Sequence, residues 1–453
     1  MSNEPDVLDE VPPELVRRVE DALAEDRTED VRALLGDLSA SGQASILEQI
    51  SEPERDKLVG ILKRDLDPEA LTELDEEVLE DVLDQLDSKD IAAAAHELEA
   101  DDAATILEEL PEDERQEILA ELPADERADI ESALAYPDGT AGRLMQRSLV
   151  KVPDGWTVGE VIDHCREATD LPDDVYDIFV VDSDGRLRGS VPLGRMLRTK
   201  RPVPILDIVD PDIPSVPATA QQAEVAHVFR DQNLVSCPVV DERGRLQGVI
   251  MVDDVVDVID EEAEEDLLKM GGVGIDDMHA NPVRTARLRA VWLTVNLATA
   301  VLASFVIGQF EGAIEKIVAL AVLMPIVASM GGNAGTQTVT VAVRALAMGE
   351  LTAANALRFV AKEAAVGGLN GMIFALIMGA AVVGWYGDWR LGAVIGAAMV
   401  CNLLAAALAG TLIPLGLQKF GIDPAVSSTV FLTTVTDVIG FLAFLGLATA
   451  FLL

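Results

Sequence analysis

From about residue 290 onward the chain contains five apolar stretches, at 290–308, 317–343, 359–384, 391–417 and 425–453. Each is long enough to cross about 30 Å of hydrocarbon as a helix. Inside a bilayer every backbone N–H and C=O must be satisfied within the protein, so helices are the structures such stretches can form. The charge distribution draws the same boundary. Residues 281–453 carry 7 acidic and 9 basic side chains, whereas residues 1–280 carry the other 72 acidic and 25 basic ones. The first part is therefore built for water and the second for lipid.

The net charge of −45 argues against a nucleic-acid partner, because phosphate is repelled by such a surface. Its general source reads as adaptation to high salt: Asp is abundant and Lys accounts for 9 of the 34 basic residues. Cation sensing is then a property to look for in particular clusters. Cys165, Cys237 and Cys401 are too widely spaced for a metal or redox motif and read as small core residues. The acidic start, MSNEPDVLDEVPPE, has no apolar h-region, so residues 1–280 are expected in the cytosol. Arg284, Arg287, Arg289, Arg344, Arg358, Lys362 and Lys419 fall on one side of the spans, and Lys316 and Arg390 on the other. The positive-inside rule then places the C-terminus outside.

Residues 11–136 read as successive amphipathic helices that form a small all-α solenoid, with Pro111 and Pro123 expected at helix N1 positions. Near Tyr136 the pattern changes. Short β-branched runs (Ile178–Val181, Arg188–Val191, Cys237–Val240, Gly248–Val252) are joined pairwise by the turns Asp182-Ser-Asp-Gly185 and Asp241-Glu-Arg-Gly244. Helices at Val158–Ala168 and Ala220–Gln232 complete an internal α/β duplication, 137–202 and 203–262. An acidic helix, Asp253 to Met270, follows and stops at Gly271-Gly-Val-Gly274, within a connecting segment 253–280. Asp254, Asp257, Glu261 and Glu265 share one of its faces. Like charges at that spacing repel, and a divalent cation would relieve them; a solvated halophilic face is the alternative.

In the membrane part, 284–453, Pro325 is expected to kink the second span, and Gly331-Gly-Asn-Ala-Gly-Thr-Gln337 to interrupt it where it lines a pathway. Asp437 is the one ionisable group of the last span. A carboxylate at such depth costs roughly 3 kcal/mol on insertion scales, so it marks function by default. Thr429 and Thr433 lie eight and four residues before it on the same face. Hydroxyls, a carboxylate and water suit Mg²⁺, a hard cation that keeps much of its hydration.

The duplicated segment resembles a tandem pair of CBS domains, most closely through Val235–Ile259, VSCPVVDERGRLQGVIMVDDVVDVI. That resemblance implies adenine-nucleotide binding. The ribose-binding Thr and Asp of the motif fall on Met251 and Asp254 in the second copy, and on Pro192 and Arg195 in the first. Nearly the whole chain resembles the MgtE family of magnesium channels and transporters, through Met330-Gly-Gly-Asn-Ala-Gly-Thr-Gln337, Arg344-Ala-Leu-Ala347, Asp423-Pro-Ala425 and Thr436-Asp-Val-Ile-Gly440. The implied fold is a multidomain membrane protein: helical N-terminal solenoid, CBS pair, acidic connecting helix and five-helix transmembrane domain. The resemblance also implies a homodimer embedded in membrane lipid. Its pore would lie between the copies, with Asp437 as metal site and Thr429, Thr433, Asn333 and Gly335 as lining. It further implies a cytosolic Mg²⁺ sensor at Asp254, Asp257, Glu262, Glu265 and Asp266.

Enzyme readings find less in the residues. The spans hold one Asp and no His, and neither a P-loop nor a DKTG motif occurs. A membrane-bound sensor without transport, and transport of Co²⁺, Mn²⁺ or Zn²⁺, are the alternatives to Mg²⁺ passage. The lone Cys401 in the spans favours hard oxygen ligands.

Overall fold

The computed structural model describes residues 11–168, 171–172, 175–273 and 282–453, without the side chain of Ser427. It divides into two units, residues 1–262 and 263–453. Gly274, His279 and Asn281, which figure in the sequence argument, lie outside the described residues.

The first unit opens with ten short α-helices: α1 (Pro13–Ala24), α2 (Thr28–Leu35), α3 (Ala40–Gln49), α4 (Glu52–Leu62), α5 (Glu69–Thr72), α6 (Glu76–Gln85), α7 (Ser88–Glu97), α8 (Ala100–Glu108), α9 (Glu112–Glu121) and α10 (Ala124–Leu134). Their apolar stripes meet in one core that runs from Val16 to Ala133 and includes Leu58, Val82 and Leu107. Buried cations tie successive layers together. Arg55, almost fully buried, donates to Leu47 O at 3.0 Å and to Asp81 at 2.6 Å. Pro111 and Pro123 sit at N-cap positions, one residue before the N1 positions expected. Their extended ψ angles lie outside the helix, while their carbonyls accept its first bonds, from Arg115 and Arg127.

A short α11 (Ala141–Leu144) leads into the duplication. The first copy runs β1 (Lys151–Pro153), α12 (Val158–Glu167), β2 (Asp177–Val181), β3 (Leu187–Pro192), α13 (Leu193–Arg198). The second runs β4 (Val216–Pro217), α14 (Gln222–Gln232), β5 (Ser236–Val240), β6 (Leu246–Met251), α15 (Val252–Gly271). Each copy builds a three-stranded sheet whose first strand pairs parallel with the second, and the second antiparallel with the third. Within each hairpin an aspartate fixes the turn. Asp182 accepts from the backbone N–H groups of Asp184 and Arg186, and Asp241 from those of Arg243 and Arg245. Gly185 and Gly244 supply the positive φ the turns require. The two turns also bond each other, Leu187 N–H to Gly244 O and Leu246 N–H to Gly185 O.

The second unit holds five helices long and apolar enough to span a membrane: α16 (Pro282–Gly308), α18 (Ala319–Ala347), α19 (Ala356–Tyr386), α20 (Trp389–Lys419) and α21 (Pro424–Leu452); a short α17 (Glu311–Lys316) joins the first two. The most buried of the five is α20. Glycines let its neighbours approach: a Cβ on Gly367 would lie 2.6 Å from that of Ala407, and one on Gly392 would lie 2.7 Å from Gly379 O. The expected interruption of the second span does not occur, since α18 is continuous through Pro325 and residues 331–337. The physical reason is the solvent: with no water to take up freed backbone groups, the helical bond pattern is retained. Thr336, Thr338 and Thr340 turn their hydroxyls back onto carbonyls four residues earlier.

Candidate functional site

On α18 Gly331, Gly335 and Thr338 face inward, whereas most polar side chains of residues 329–344 face the other way. Gly331 and Gly335 are buried against other helices. A Cβ on Gly331 would fall 2.2 Å from Asn402 Nδ2 on α20, and one on Gly335 would fall 2.6 Å from Leu432 Cδ1 on α21. Gly335 thus packs between helices of the same chain, and the expected lining role is not visible there. Ser329, Asn333, Thr336, Gln337, Thr340 and Arg344 are exposed and recur at helical spacing. They form a polar stripe along a helix otherwise made for lipid. On α21, Thr433 is exposed, and Thr429 and Asp437 are partly exposed, one turn apart in succession. Thr433 Oγ1 donates to Thr429 O at 2.9 Å, which leaves its lone pairs for another partner.

Asn402 is a polar residue that sequence reasoning missed, although one amide in the middle of an apolar span was a usable signal. It is fully buried. Its Nδ2 donates to Val327 O at 2.8 Å, between Gly331 of α18 and Gly440 of α21. Glu363, a buried carboxylate near the start of α19, was also passed over; it pairs with Lys362 at 3.3 Å.

The N-terminus of α21 is capped by Asp423, which accepts from Ala425 N–H at 2.8 Å. The same carboxylate binds Lys269 of α15 at 3.2 Å, and Lys269 binds Glu265 at 2.6 Å. Burial works against the ammonium, but its bonds to Glu265 and Asp423 prevail and hold its pKa above the usual value. Next to this contact Thr429 Oγ1 donates to Met270 O at 3.4 Å. A cavity of about 180 Å³ lies between Gly271, Gly272, Trp292, Asn296, Val426, Thr429, Val430 and Thr433.

The other carboxylates of α15 are placed differently. Asp254 Oδ2 accepts from Met251 N–H at 3.2 Å, as half of a capping box, and from Gln146 Nε2 at 3.4 Å. Burial, with Asp253, Asp102 and Glu99 adding repulsion, pushes its pKa up to about 8. Asp257 is raised by burial and by Asp253 and Asp260. Facing them are carboxylates of the helical layer that the sequence gave no reason to single out. Asp101 is 6% exposed, its Oδ1 has no partner among the described residues, and its pKa is raised well above normal, first by burial and then by Asp254. Asp102 is pushed up to about 6 by burial, then by Glu69, Asp257, Asp253 and Glu73. Glu73 is raised by burial and then by Asp257 and Glu69. Helix spacing cannot reveal such a convergence, because its members come from α5, α8 and α15. Glu262 does not join it and accepts from Gln222 at 3.2 Å instead; Glu265 pairs with Lys269. Among the described residues no three His, Cys, Asp or Glu side chains are arranged to hold a metal ion. The arrangement is therefore a concentration of repelling carboxylates rather than a finished coordination shell.

The expected nucleotide contacts are occupied within the chain. Asp254 bonds as described, and Arg195 Nη1 donates to Ile208 O at 3.1 Å.

Sequence comparison bears on both regions. The family model for MgtE, described as a divalent cation transporter, matches residues 324–447; that for the MgtE intracellular N domain matches 38–139, and CBS domains match 141–200 and 205–261. The magnesium transporter MgtE of Thermus thermophilus is 35% identical over 322 residues, which cover 70% of this chain and 71% of that protein. The chain belongs to the MgtE family. Its likeness to the magnesium transporter MgtE of Bacillus subtilis, at 28% identity, extends over 97% of this chain and 98% of the relative. A crystal structure of the cytosolic domain of the Mg²⁺ channel MgtE in complex with ATP is 30% identical and covers 54% of this chain and 99% of that one, with a TM-score of 0.49. The family resemblance, the CBS pair and the multi-pass membrane architecture expected from the sequence thus stand.

Proposed function

We propose that this protein carries Mg²⁺ across the cell membrane, along a path between two copies of the chain, and that cytosolic Mg²⁺ restrains it. The polar stripe Ser329–Asn333–Thr336–Gln337–Thr340 carries this reading. Hydroxyls and amides on a spanning helix are costly against lipid tails, so a second copy or water has to cover them. Two-fold pairing supplies both. It brings two stripes and two Asp437 carboxylates around one aqueous path, where the doubled negative charge attracts a cation and repels anions. Lipid meets the other faces, where Leu293, Phe305, Leu376 and Phe451 are exposed.

In this reading residues 1–280 are cytosolic, the C-terminus is outside, and no covalent chemistry is performed. Domain limits follow 11–136, 137–202, 203–262, 253–280 and 284–453. Asp254 and Asp257, with Asp101, Asp102 and Glu73 opposite, form the cation-responsive cluster: a divalent ion among them replaces repulsion by attraction. Glu262, Glu265 and Asp266 extend that negative field along α15. An adenine nucleotide is a second regulatory ligand of the CBS pair, with Asp254 exchanging its bond to Met251 for the ribose; equilibrium dialysis with ATP tests it.

The principal test is Mg²⁺ influx into proteoliposomes. Asp437→Ala should lower flux about 100-fold or more while the dimer still elutes as such, because the charge that selects the cation is gone. Asp437→Asn should lose selectivity for divalent ions. Wild-type flux in Asp437→Ala would refute the pathway.

A further inference from the structure

We propose that a two-chained anionic phospholipid is held on α20, at the end of the bundle where Trp389 and Arg390 stand. Its phosphate rests on the Arg390 guanidinium, and its chains lie in two neighbouring grooves. Neither groove contains Asp437 or a residue of the polar stripe on α18, so the site is distinct from the proposed path.

Shape is the first argument. Helix α20 is recessed between α19 and α21, and it exposes Ala393 and Ala397 along the seam. On one side of this low ridge lies a groove of about 320 Å³, bounded by Val394, Leu447 and Phe451, with Trp389 and Arg390 at one end. On the other side lies a groove of about 490 Å³, bounded by Leu376, Val383 and Gly396. Both share the two alanines. Close helix contact shuts the floor of the second: a Cβ on Gly392 would stand 2.7 Å from Gly379 O, and one on Gly396 would stand 3.2 Å from Ala375 O. The grooves run along α20 from Trp389 to Ala397 and from Gly392 to Val400, about 12 Å each at the helical rise. One leaflet offers about 15 Å of hydrocarbon, so each groove follows most of a chain. A methylene takes up roughly the 30 Å³ of a water molecule, so the volumes hold about ten and about sixteen of them.

Apolar shape alone does not choose an occupant, since lipid tails are as apolar as the walls. The mouth does. Trp389 is 68% exposed, and its ring centroid lies 5.9 Å from Arg390 Cζ. Trp385 and Tyr386, at the end of α19, stack with ring centroids 5.5 Å apart. Tryptophan and tyrosine settle at the headgroup level of a bilayer, so this end of the grooves lies where lipid phosphates are. Among the described residues no carboxylate pairs with the Arg390 guanidinium. Asp388, the nearest acid in sequence, is engaged as the cap of α20, where it accepts from Arg390 N–H at 2.8 Å and Leu391 N–H at 3.4 Å. The guanidinium therefore offers its planar fork to an external phosphodiester. A headgroup without an ammonium of its own leaves the phosphate wholly to Arg390, which favours an anionic lipid over a zwitterionic one.

The test uses the full-length protein with Trp292 and Trp385 replaced by Phe, which leaves Trp389 as the one tryptophan in the spans. This parent is reconstituted in mixed vesicles of phosphatidylglycerol and phosphatidylcholine, one or the other carrying brominated chains that quench indole fluorescence on contact. Half-quenching should need a mole fraction of brominated phosphatidylglycerol about fivefold lower than of brominated phosphatidylcholine, the worth of a charge-assisted bond at a wet interface. Arg390→Gln should remove that preference, and Arg390→Lys, which keeps the charge, should retain part of it. Ala397→Leu, exposed on the ridge that both grooves share, should raise the half-quenching fraction of phosphatidylglycerol about twofold or more, because the larger side chain crowds both chains. Equal quenching by the two lipids in the parent, or a preference that survives Arg390→Gln, would overturn the site. Loss of the preference on adding excess inorganic phosphate at constant ionic strength would also overturn it, by making the guanidinium a site for a free anion. So would an Ala397→Leu variant that elutes as monomer where the parent elutes as dimer, which would give the seam to a second copy of the chain.

Discussion

The two halves of this molecule treat negative charge in opposite ways. The soluble half carries 72 carboxylates in 280 residues, most of them held apart by water. A few, from α5, α8 and α15, converge and partly lose that water, and their pKa values rise together. The last span carries one carboxylate, Asp437, on a face with two threonines. In the first case meaning comes from crowding and in the second from isolation. A cluster that repels itself responds to cation concentration, because each bound ion changes the stability of the docked arrangement. In the proposed path the single carboxylate selects what passes and has nothing to rearrange.

Mutations can break this contrast. On the regulatory side, neutralising Asp254, Asp257, Glu262, Glu265 and Asp266 together should move Mg²⁺ inhibition at least about tenfold upward or abolish it, since several charges contribute to the coupling. Flux at low Mg²⁺ should be unchanged. Inhibition like that of wild type, at constant ionic strength, would make α15 a merely halophilic surface. In the membrane half, Gly331→Ala should cost about 1–3 kcal/mol of thermal stability, because the new methyl meets Asn402. A thermal melt in detergent reads this out, and an unshifted midpoint would show that the two helices can move apart freely.

A subtler effect is a proton exchange confined to the soluble half. Asp254, at about 8, and Asp102, at about 6, are raised above their unfolded values. Their protonated forms therefore favour the folded arrangement. That contribution is fully present below about pH 4 and is lost as pH rises through about 6 and then about 8. The groups facing Asp254 are Asp253, Asp102, Glu99 and Asp101, all acidic, and the hydrogen bond from Met251 N–H offsets only part of this trend. Mg²⁺ should displace the protons. At pH 7 calorimetric titration in buffers of different ionisation enthalpy should show release of about one proton per cluster, and the release should vanish in Asp254→Asn. Binding without proton release would separate the cluster from cation sensing. The smallest effect is expected for Thr433→Val, a loss of flux of about two- to fivefold, because water and carbonyls can replace one hydroxyl. A loss as large as that of Asp437→Ala would mean that the hydroxyl, too, acts alone.

Much of this architecture was legible because the two solvents write different periods. The five spans, α15 and the repeated order of helix, strand, turn and strand follow from apolar runs, helical spacing and turn residues. The strands β1 and β4 escaped notice, since each is two or three residues long and ends in proline. The break expected in α18 was inferred from glycine and polar content. That content instead serves opposite faces of an intact helix, Gly331 and Gly335 inward and Asn333 and Thr336 outward. Asp437 could be singled out because one charge in an apolar run is conspicuous. Asp101 and Asp102 could not, because they are two acids among dozens, and only the packing of α8 next to the start of α15 distinguishes them.

The contact of Lys269 with Glu265 and Asp423 adds a point about supply. An ammonium carried on the chain is a counter-ion at fixed effective concentration, present whether the cytosol is rich or poor in divalent ions. Where a tethered cation holds α15 to the N-terminus of α21, the joint keeps its counter-ion at any magnesium concentration. In the proposed function the cluster around Asp254 depends on what diffuses in. On that reading the same helix thus carries one joint that is constant and one that follows the composition of its surroundings.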